Sequence, residues 1–296
     1  MTLGEFVAQA RETLLAGGIA ADEAAGDAEL LARHALGFDL TQYALARTEP
    51  PAPEFSGRFA ALIARRLQRE PVSQIVGYRE FWGLDFEVTR DVLTPRPETE
   101  LVIQAALDAF PCDAPIVIMD VGTGSGCLAV ALAREFPAAM LIASDISLPA
   151  LAVARRNATR HGVQHRIAFL HSGDLAPEND VDLIVSNPPY IALGDAAGLA
   201  VEVREYEPHV ALFGGPDGLD VYRGLLRATR QAIAAGDDGR LILEVGYGQA
   251  GAVSDLARAQ GWDRERVYRD LQGIDRVLTF QPPEGGNYRK REKARV

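Results

Sequence analysis

Residues 187–190 read Asn-Pro-Pro-Tyr and follow, after Ser186, residues 181–185, a short apolar run with the composition of a strand buried on both faces. Such a tetrapeptide suits a planar NH2 group. The nitrogen of an amide or of an exocyclic base amine is a poor nucleophile, because its lone pair is delocalised into the adjoining π-system, so a site must orient it. Asn187 offers a side-chain carbonyl, and Pro188 offers a backbone carbonyl with no N–H beside it. Two acceptors can thus converge on the two N–H bonds without a competing donor. Tyr190 can close over a flat substrate as an apolar wall. The same residue types favour a plain turn after a strand, and these four residues alone leave that alternative open.

Upstream lies a glycine loop, Gly122-Thr123-Gly124-Ser125-Gly126, entered through Asp120 from the apolar residues 116–119 and followed by a helix-forming stretch, 127–133. Strand, glycine turn and helix open a nucleotide-binding α/β unit, because glycine lets the backbone approach a ligand closely. The spacing is Gly-x-Gly-x-Gly, so it does not match the dinucleotide fingerprint Gly-x-Gly-x-x-Gly. A second apolar run, 140–144, ends in Asp145, where an acid can accept hydrogen bonds from both hydroxyls of a ribose. Alone, the glycine turn could be a tight start to a helix and Asp145 an N-cap. The pair at this separation, with residues 187–190 after a later strand, favours the nucleoside reading.

Taken together, these pieces resemble class I S-adenosylmethionine-dependent methyltransferases, within them the amino-methyltransferases that modify adenine N6, cytosine N4 or glutamine N5. Further segments narrow the resemblance: residues 71–83, Pro-Val-Ser-Gln-Ile-Val-Gly-Tyr-Arg-Glu-Phe-Trp-Gly, and residues 92–100, Val-Leu-Thr-Pro-Arg-Pro-Glu-Thr-Glu. It continues through Tyr206-Glu207-Pro208, Ala211-Leu212-Phe213, Gly218-Leu219-Asp220, Leu243-Glu244-Val245-Gly246 and Gly273-Ile274-Asp275-Arg276. Over residues 71–280 the chain is similar to the HemK/PrmC family, the release-factor glutamine methyltransferases, and over the first 70 in general character.

That resemblance implies methyl transfer from S-adenosylmethionine, leaving S-adenosylhomocysteine, to N5 of the glutamine in the Gly-Gly-Gln motif of class-1 peptide chain release factors. It also implies site roles. Gly122, Thr123, Gly124, Ser125 and Gly126 would pack around the methionine part of the cofactor, Asp145 would hold the ribose, and Asp174 would sit at the adenine with Leu175 stacking nearby. Asn187 and the Pro188 carbonyl would hold the acceptor amide at its border with the cofactor, with Pro189 beside them and Tyr190 packed against the substrate. A ribosomal-protein glutamine methyltransferase is a near alternative, but its family usually departs from Pro-Arg-Pro-Glu-Thr-Glu. An adenine N6-methyltransferase of nucleic acids shares Asn-Pro-Pro-Tyr, yet no separate basic recognition domain is evident. A cofactor-binding regulatory protein without catalysis is opposed by the intact residues 187–190.

Composition fits a soluble cytoplasmic enzyme. The 296 residues can hold two domains, and no apolar stretch reaches the ~18 residues that span a bilayer. Two cysteines and five histidines lack metal-ligand or disulfide spacing, so no metal is expected. Net charge is −11; without residues 289–295, which hold five basic side chains and one acid, 25 basic residues face 40 acidic ones, or −15. An acidic body disfavours affinity drawn from phosphate neutralisation. It suits a basic protein partner, although acidic surfaces also maintain solubility. The basic tail, 282–296, is expected to be disordered, with at most a weak nucleic-acid role.

The elements that must position these residues follow from periodicity. Residues 1–76 read as helices only, interrupted at 49–53 and near Ser56, with Leu30, Leu31, Ala35 and Leu36 on one apolar face and Phe59, Leu62, Ile63 and Leu67 on another. This small helical domain carries no titratable cluster and is assigned to substrate recognition, with a purely stabilising cap as the alternative. Alternation around Gly83 predicts a hairpin within a linker, 77–93. The methyltransferase domain then spans 94–281: a Rossmann-like α/β sheet with strands expected at 116–120, 139–144, 166–171, 181–186 and 240–245. Two more, 265–269 and 275–280, are implied by the family to form an antiparallel hairpin at one edge.

Overall fold

Helix signals dominate the start of the chain, and in the computed structural model five helices form there: α1 (Leu3–Ala16), α2 (Ala21–Leu36), α3 (Leu40–Ala46), α4 (Phe55–Leu67) and α5 (Val72–Val76). The structure describes residues 1–172, 181–233 and 239–283. Two units emerge: Met1–Tyr78 with Ala200–Tyr206, and Arg79–Leu199 with the chain from Glu207 onward. In the first unit, Thr2 and Glu5 close a capping box on α1, satisfying two N–H groups that the helix leaves unpaired. Leu14, Leu31, Phe55, Phe59 and Ile63 fill its core, and the Phe55 and Phe59 rings stack at 4.9 Å. Leu30, Ala35, Leu36, Leu62 and Leu67 pack around that core. The break expected near Ser56 falls earlier, because burial of Phe55 with Phe59 draws Ser56 into the first turn of α4.

In the second unit, β1 (Tyr78–Phe81) and β2 (Leu84–Glu87) form a hairpin whose two turn residues, Trp82 and Gly83, have φ of 53° and 70°. Such a turn matches the twist of the paired strands. Trp82 is held there by its backbone N–H on Glu100 Oε1 at 2.8 Å and its indole N–H on Glu135 Oε1 at 2.9 Å. Phe81 and Phe86 reach the core of this unit, so the hairpin is packed structure. A 3-10 turn, Pro97–Thr99, leads into α6 (Glu100–Ala109).

There follow β3 (Val117–Val121), α7 (Cys127–Glu135), β4 (Met140–Asp145), α8 (Leu148–Arg160), β5 (Ile167–His171), β6 (Leu183–Ser186), α9 (Val201–Tyr206), α10 (Asp220–Ala232), β7 (Arg240–Glu244), α11 (Ala250–Ala259), β8 (Asp263–Arg269) and β9 (Asp275–Gln281). The sheet runs β5-β4-β3-β6-β7-β9-β8. Its first five strands are parallel, whereas β9 is antiparallel to both neighbours, giving the edge hairpin. Alternate residues face two layers. Ile118, Leu183, Val185 and Ile242 pack with α6 and α7, while Met119, Ile184, Leu241 and Leu243 pack with α10 and α11. Burying each such side chain contributes about 1.5–3 kcal/mol.

Most strand bounds shift by a residue or two from the apolar runs, because pairing sets them. Val181, for instance, makes only an isolated bridge to Ile233. β8 begins at Asp263, paired with Gln281 of β9, two residues before the expected start, because its early residues are exposed and polar and leave no apolar alternation to read. Asp174, Leu175 and the tail from residue 284 lie outside the described residues.

Candidate functional site

Strand order reverses at β3, which pairs with β4 on one side and β6 on the other. Ligands of open α/β sheets bind beyond the carboxyl ends of the strands at such a point. The register aligns those ends: Val121 sits opposite both Ser144 and Ser186. The next residue on each strand or loop is therefore Gly122, Asp145 or Asn187, three of the residues singled out from sequence. They share a cleft of about 490 Å³, a volume suited to a small-molecule ligand.

Gly122 and Gly124 line this cleft with bare backbone. Thr123, Ser125 and Gly126 are not among its lining residues and build the turn instead. The Thr123 hydroxyl donates to Asp120 Oδ2 at 2.5 Å, and the Ser125 carbonyl accepts from the Asn157 side chain at 2.8 Å. Gly126 has φ 80°, and a Cβ there would stand 3.0 Å from Ala154, so only glycine brings α7 this close to α8. Asp145 Oδ2 accepts from the Gly124 N–H at 2.9 Å and Oδ1 from the Ser147 N–H at 2.8 Å. The cap of α8 is Ser147, whose hydroxyl accepts from the Ala150 N–H at 3.2 Å. Asp145 is thus no N-cap; its carboxylate ties the glycine loop to the start of α8 and keeps acceptor capacity at the cleft.

Asn187, Pro188 and Pro189 also line the cleft. The Asn187 amide nitrogen donates to Thr99 Oγ1 at 3.1 Å, which leaves its carbonyl for the cleft. Segment 214–218 grips this loop: a Cβ on Gly214 would meet the Pro189 carbonyl oxygen at 2.5 Å, and the Gly214 N–H donates to Ile191 O at 2.9 Å. Tyr190 is not a lining residue of the cleft. Its ring packs at Gly246, its carbonyl accepts from Gln249 Nε2 at 2.9 Å, and burial, with the nearby Glu244 charge, pushes its hydroxyl up to about 12.

Several contributors escaped the sequence reading. Asp120, at the floor of the glycine loop, is pushed up to about 7 by burial, although hydrogen bonds from Thr123 and the Ala129 N–H favour its charged form. Glu244, at the end of β7, is likewise pushed up to about 7 by burial, opposed by a hydrogen bond from the Thr99 hydroxyl. Glu207 accepts from the Thr94 N–H at 3.2 Å and pairs with Arg96 at 2.6 Å, joining two motifs far apart in sequence. The signal available was an acid closing an apolar strand or standing inside a quoted motif. Among the described residues, no cluster of His, Cys, Asp and Glu could hold a metal, and no helix is long and apolar enough to cross a membrane.

Residues 5–77 match the PrmC N-terminal domain, and residues 100–203 match the Methyltransferase small domain. The release factor glutamine methyltransferase of Cereibacter sphaeroides is 49% identical over 272 residues, covering 91% of this chain and 95% of that protein. The same-named protein of Bradyrhizobium diazoefficiens is 42% identical, covering 95% and 97%. In fold, a methyltransferase from Pyrococcus furiosus superposes with a TM-score of 0.50 at 19% identity, covering 74% of this chain and 96% of that one. With a strand-end cleft built around Asn187 and near-complete coverage of such relatives, this chain belongs to the family of release factor glutamine methyltransferases.

Proposed function

We propose that the protein transfers a methyl group from S-adenosylmethionine to the side-chain amide nitrogen, N5, of the glutamine in the Gly-Gly-Gln motif of class-1 peptide chain release factors. The observation that carries this reading is Asn187 at the switch-point cleft, its amide nitrogen committed to Thr99 and its carbonyl left over. Family membership supports the substrate. A reaction on release factors belongs where translation occurs, in the cytoplasm.

The cleft fits the cofactor. Gly122 and Gly124 present backbone without side chains, as close packing against its methionine portion requires, and Asp145 offers a carboxylate to the ribose hydroxyls. Thr123, Ser125 and Gly126 hold that loop in shape, while Asp174 and Leu175 are assigned to the adenine. When bound, the cofactor supplies an electrophilic methyl on a sulfonium. The chain's own task is alignment at near-attack distance. Asn187 Oδ1 and the Pro188 carbonyl accept the two N–H bonds of the substrate amide, and Pro189 walls the acceptor side, with Tyr190 packed behind the turn at Gly246. As nitrogen attacks, its growing positive charge is met by both carbonyls, a gain made mainly in the transition state. No general base is required, since the alkylated nitrogen is acidic and sheds its proton afterwards. The helical domain, residues 1–76, recognises the folded body of the release factor, and the cleft admits its glutamine loop.

Incubating the protein with labelled S-adenosylmethionine and either release factor, total DNA or ribosomes tests this. Peptide mapping is expected to place label on the Gly-Gly-Gln peptide alone; label on DNA or ribosomal protein would contradict it.

A further inference from the structure

A primary amide presents a carbonyl at one corner and two N–H bonds at the other, and turning it over exchanges them with little change in shape. For Asn187 the choice decides whether the cleft meets an acceptor or a donor. Its amide nitrogen donates to Thr99 Oγ1 at 3.1 Å. Thr99 lies in the Pro-Arg-Pro-Glu-Thr-Glu segment and is 2% exposed; the carboxyl beside it, Glu244, is 3% exposed. A threonine hydroxyl has one proton, and having accepted from Asn187 it must donate onward. Glu244, which follows Leu243 on β7 where β7 pairs with β6, is the acceptor beside it, and the Thr99 hydroxyl favours its charged form. Its other oxygen, Oε2, is buried with no hydrogen-bond partner among the described residues.

We propose that Thr99 and Glu244 are positioning residues, which set the direction of a hydrogen-bond chain from Asn187 to Thr99 to Glu244 and so keep the Asn187 carbonyl toward the cleft. This deepens the reading of Asn187 as the acceptor for a substrate amide and rests on it. An ionised carboxylate only accepts, so charged Glu244 permits one direction. A protonated Glu244 can donate to Thr99, whose proton then turns to the Asn187 carbonyl. The amide flips, and its N–H bonds oppose those of the substrate. No net charge moves between residues other than the one proton on Glu244.

The surroundings hold Glu244 near this balance. Burial disfavours its charge, as does Glu98 in the turn before α6; Arg276 on β9 and Arg96 favour it. Tyr190 after β6, Tyr222 on α10 and Cys127 on α7 also face it. With its proton held up to about 7, both directions are populated near neutrality, and turnover rises as pH climbs through that region.

The test uses the full chain, a purified release factor, and kcat between pH 6 and 8.5, with S-adenosylhomocysteine affinity measured alongside. Thr99→Val and Glu244→Gln are expected to lower kcat by about tenfold or more at pH 8, with the product's affinity within about threefold of wild type, the loss falling on orientation rather than cofactor binding. Thr99→Ser, which keeps the hydroxyl, recovers most of the rate. The rise of kcat through neutral pH disappears in Thr99→Val. Wild-type kcat in Thr99→Val, an unchanged pH profile in that variant, or Thr99→Ser as slow as Thr99→Val would each overturn the chain of hydrogen bonds while leaving the proposed reaction standing. Should Thr99→Val fail to bind the product, the near-isosteric Glu244→Gln and the Thr99→Ser rescue decide the matter. Absence of transfer by the wild-type protein would overturn the reaction instead.

Discussion

Asn187→Ala removes a carbonyl acceptor at the cleft while leaving the backbone of the Pro-Pro turn and the glycine loop in place. Turnover is expected to fall about 10²-fold or more, the scale for losing one oriented polar contact at a reacting centre, with S-adenosylmethionine affinity changed only several-fold. Single-turnover rates beside equilibrium binding check this, and near-normal turnover would remove Asn187 from the acceptor site. Asp145→Ala acts on the other ligand. Its carboxylate holds the N–H groups of Gly124 and Ser147, so its loss both removes an acceptor and loosens the loop. S-adenosylmethionine and S-adenosylhomocysteine should each weaken by roughly 1.5–3 kcal/mol, as for hydrogen bonds to a charged group. Calorimetric titration of both is the measurement; a loss confined to one ligand contradicts a ribose contact, since the ribose is common to both.

At the scale of elements, α9 is the instructive case. Its sequence follows the cleft segments, yet it belongs to the helical unit. Arg66 on α4, 3% exposed, donates Nε to Asp27 at 2.6 Å, Nη2 to Glu23 at 2.8 Å and Nη1 to Glu202 of α9 at 2.8 Å. One planar fork thus ties α2, α4 and α9, a geometry that lysine cannot copy. Burial alone disfavours the Arg66 charge, but the carboxylates outweigh it and raise its pKa. Arg66→Ala removes all three charged hydrogen bonds at this buried guanidinium and should destabilise the helical unit by about 3–5 kcal/mol, read by urea unfolding. A loss below about 1 kcal/mol, the range of an exposed pair, would show that these bonds are not maintained in solution.

At the scale of the molecule, the proposed division of labour predicts different losses on different substrates. A protein beginning near residue 79 should methylate an intact release factor far more slowly, with a smaller loss on a short Gly-Gly-Gln peptide, because binding remote from the chemistry helps place the amide. Residues 200–206 lose their unit in that truncation, so binding of S-adenosylhomocysteine must first show an intact cleft. Equal losses on protein and peptide with that binding retained would remove the recognition role.

Local chemistry explains what was legible. Apolar runs marked the buried strands, apolar helical faces marked the first unit, and glycines and an acid at strand ends marked Gly122, Gly124, Asp145 and Asn187, because each depends on its own backbone or on neighbours a few residues away. Burial and long-range pairing were not legible in that way. Thr99, Asn187 and Glu244 are separated by scores of residues, and their hydrogen bonds depend on β6 and β7 lying side by side in the sheet. The same holds for Glu207 beneath Thr94 and Arg96 and for α9 against Arg66. Tyr190, read from sequence as a wall of the site, packs at Gly246 in the folded chain. Sequence alone thus determined which residue types stand at the strand ends. Only the tertiary structure decided which buried partners orient them, because a hydrogen bond's direction depends on every donor and acceptor that the fold brings within reach.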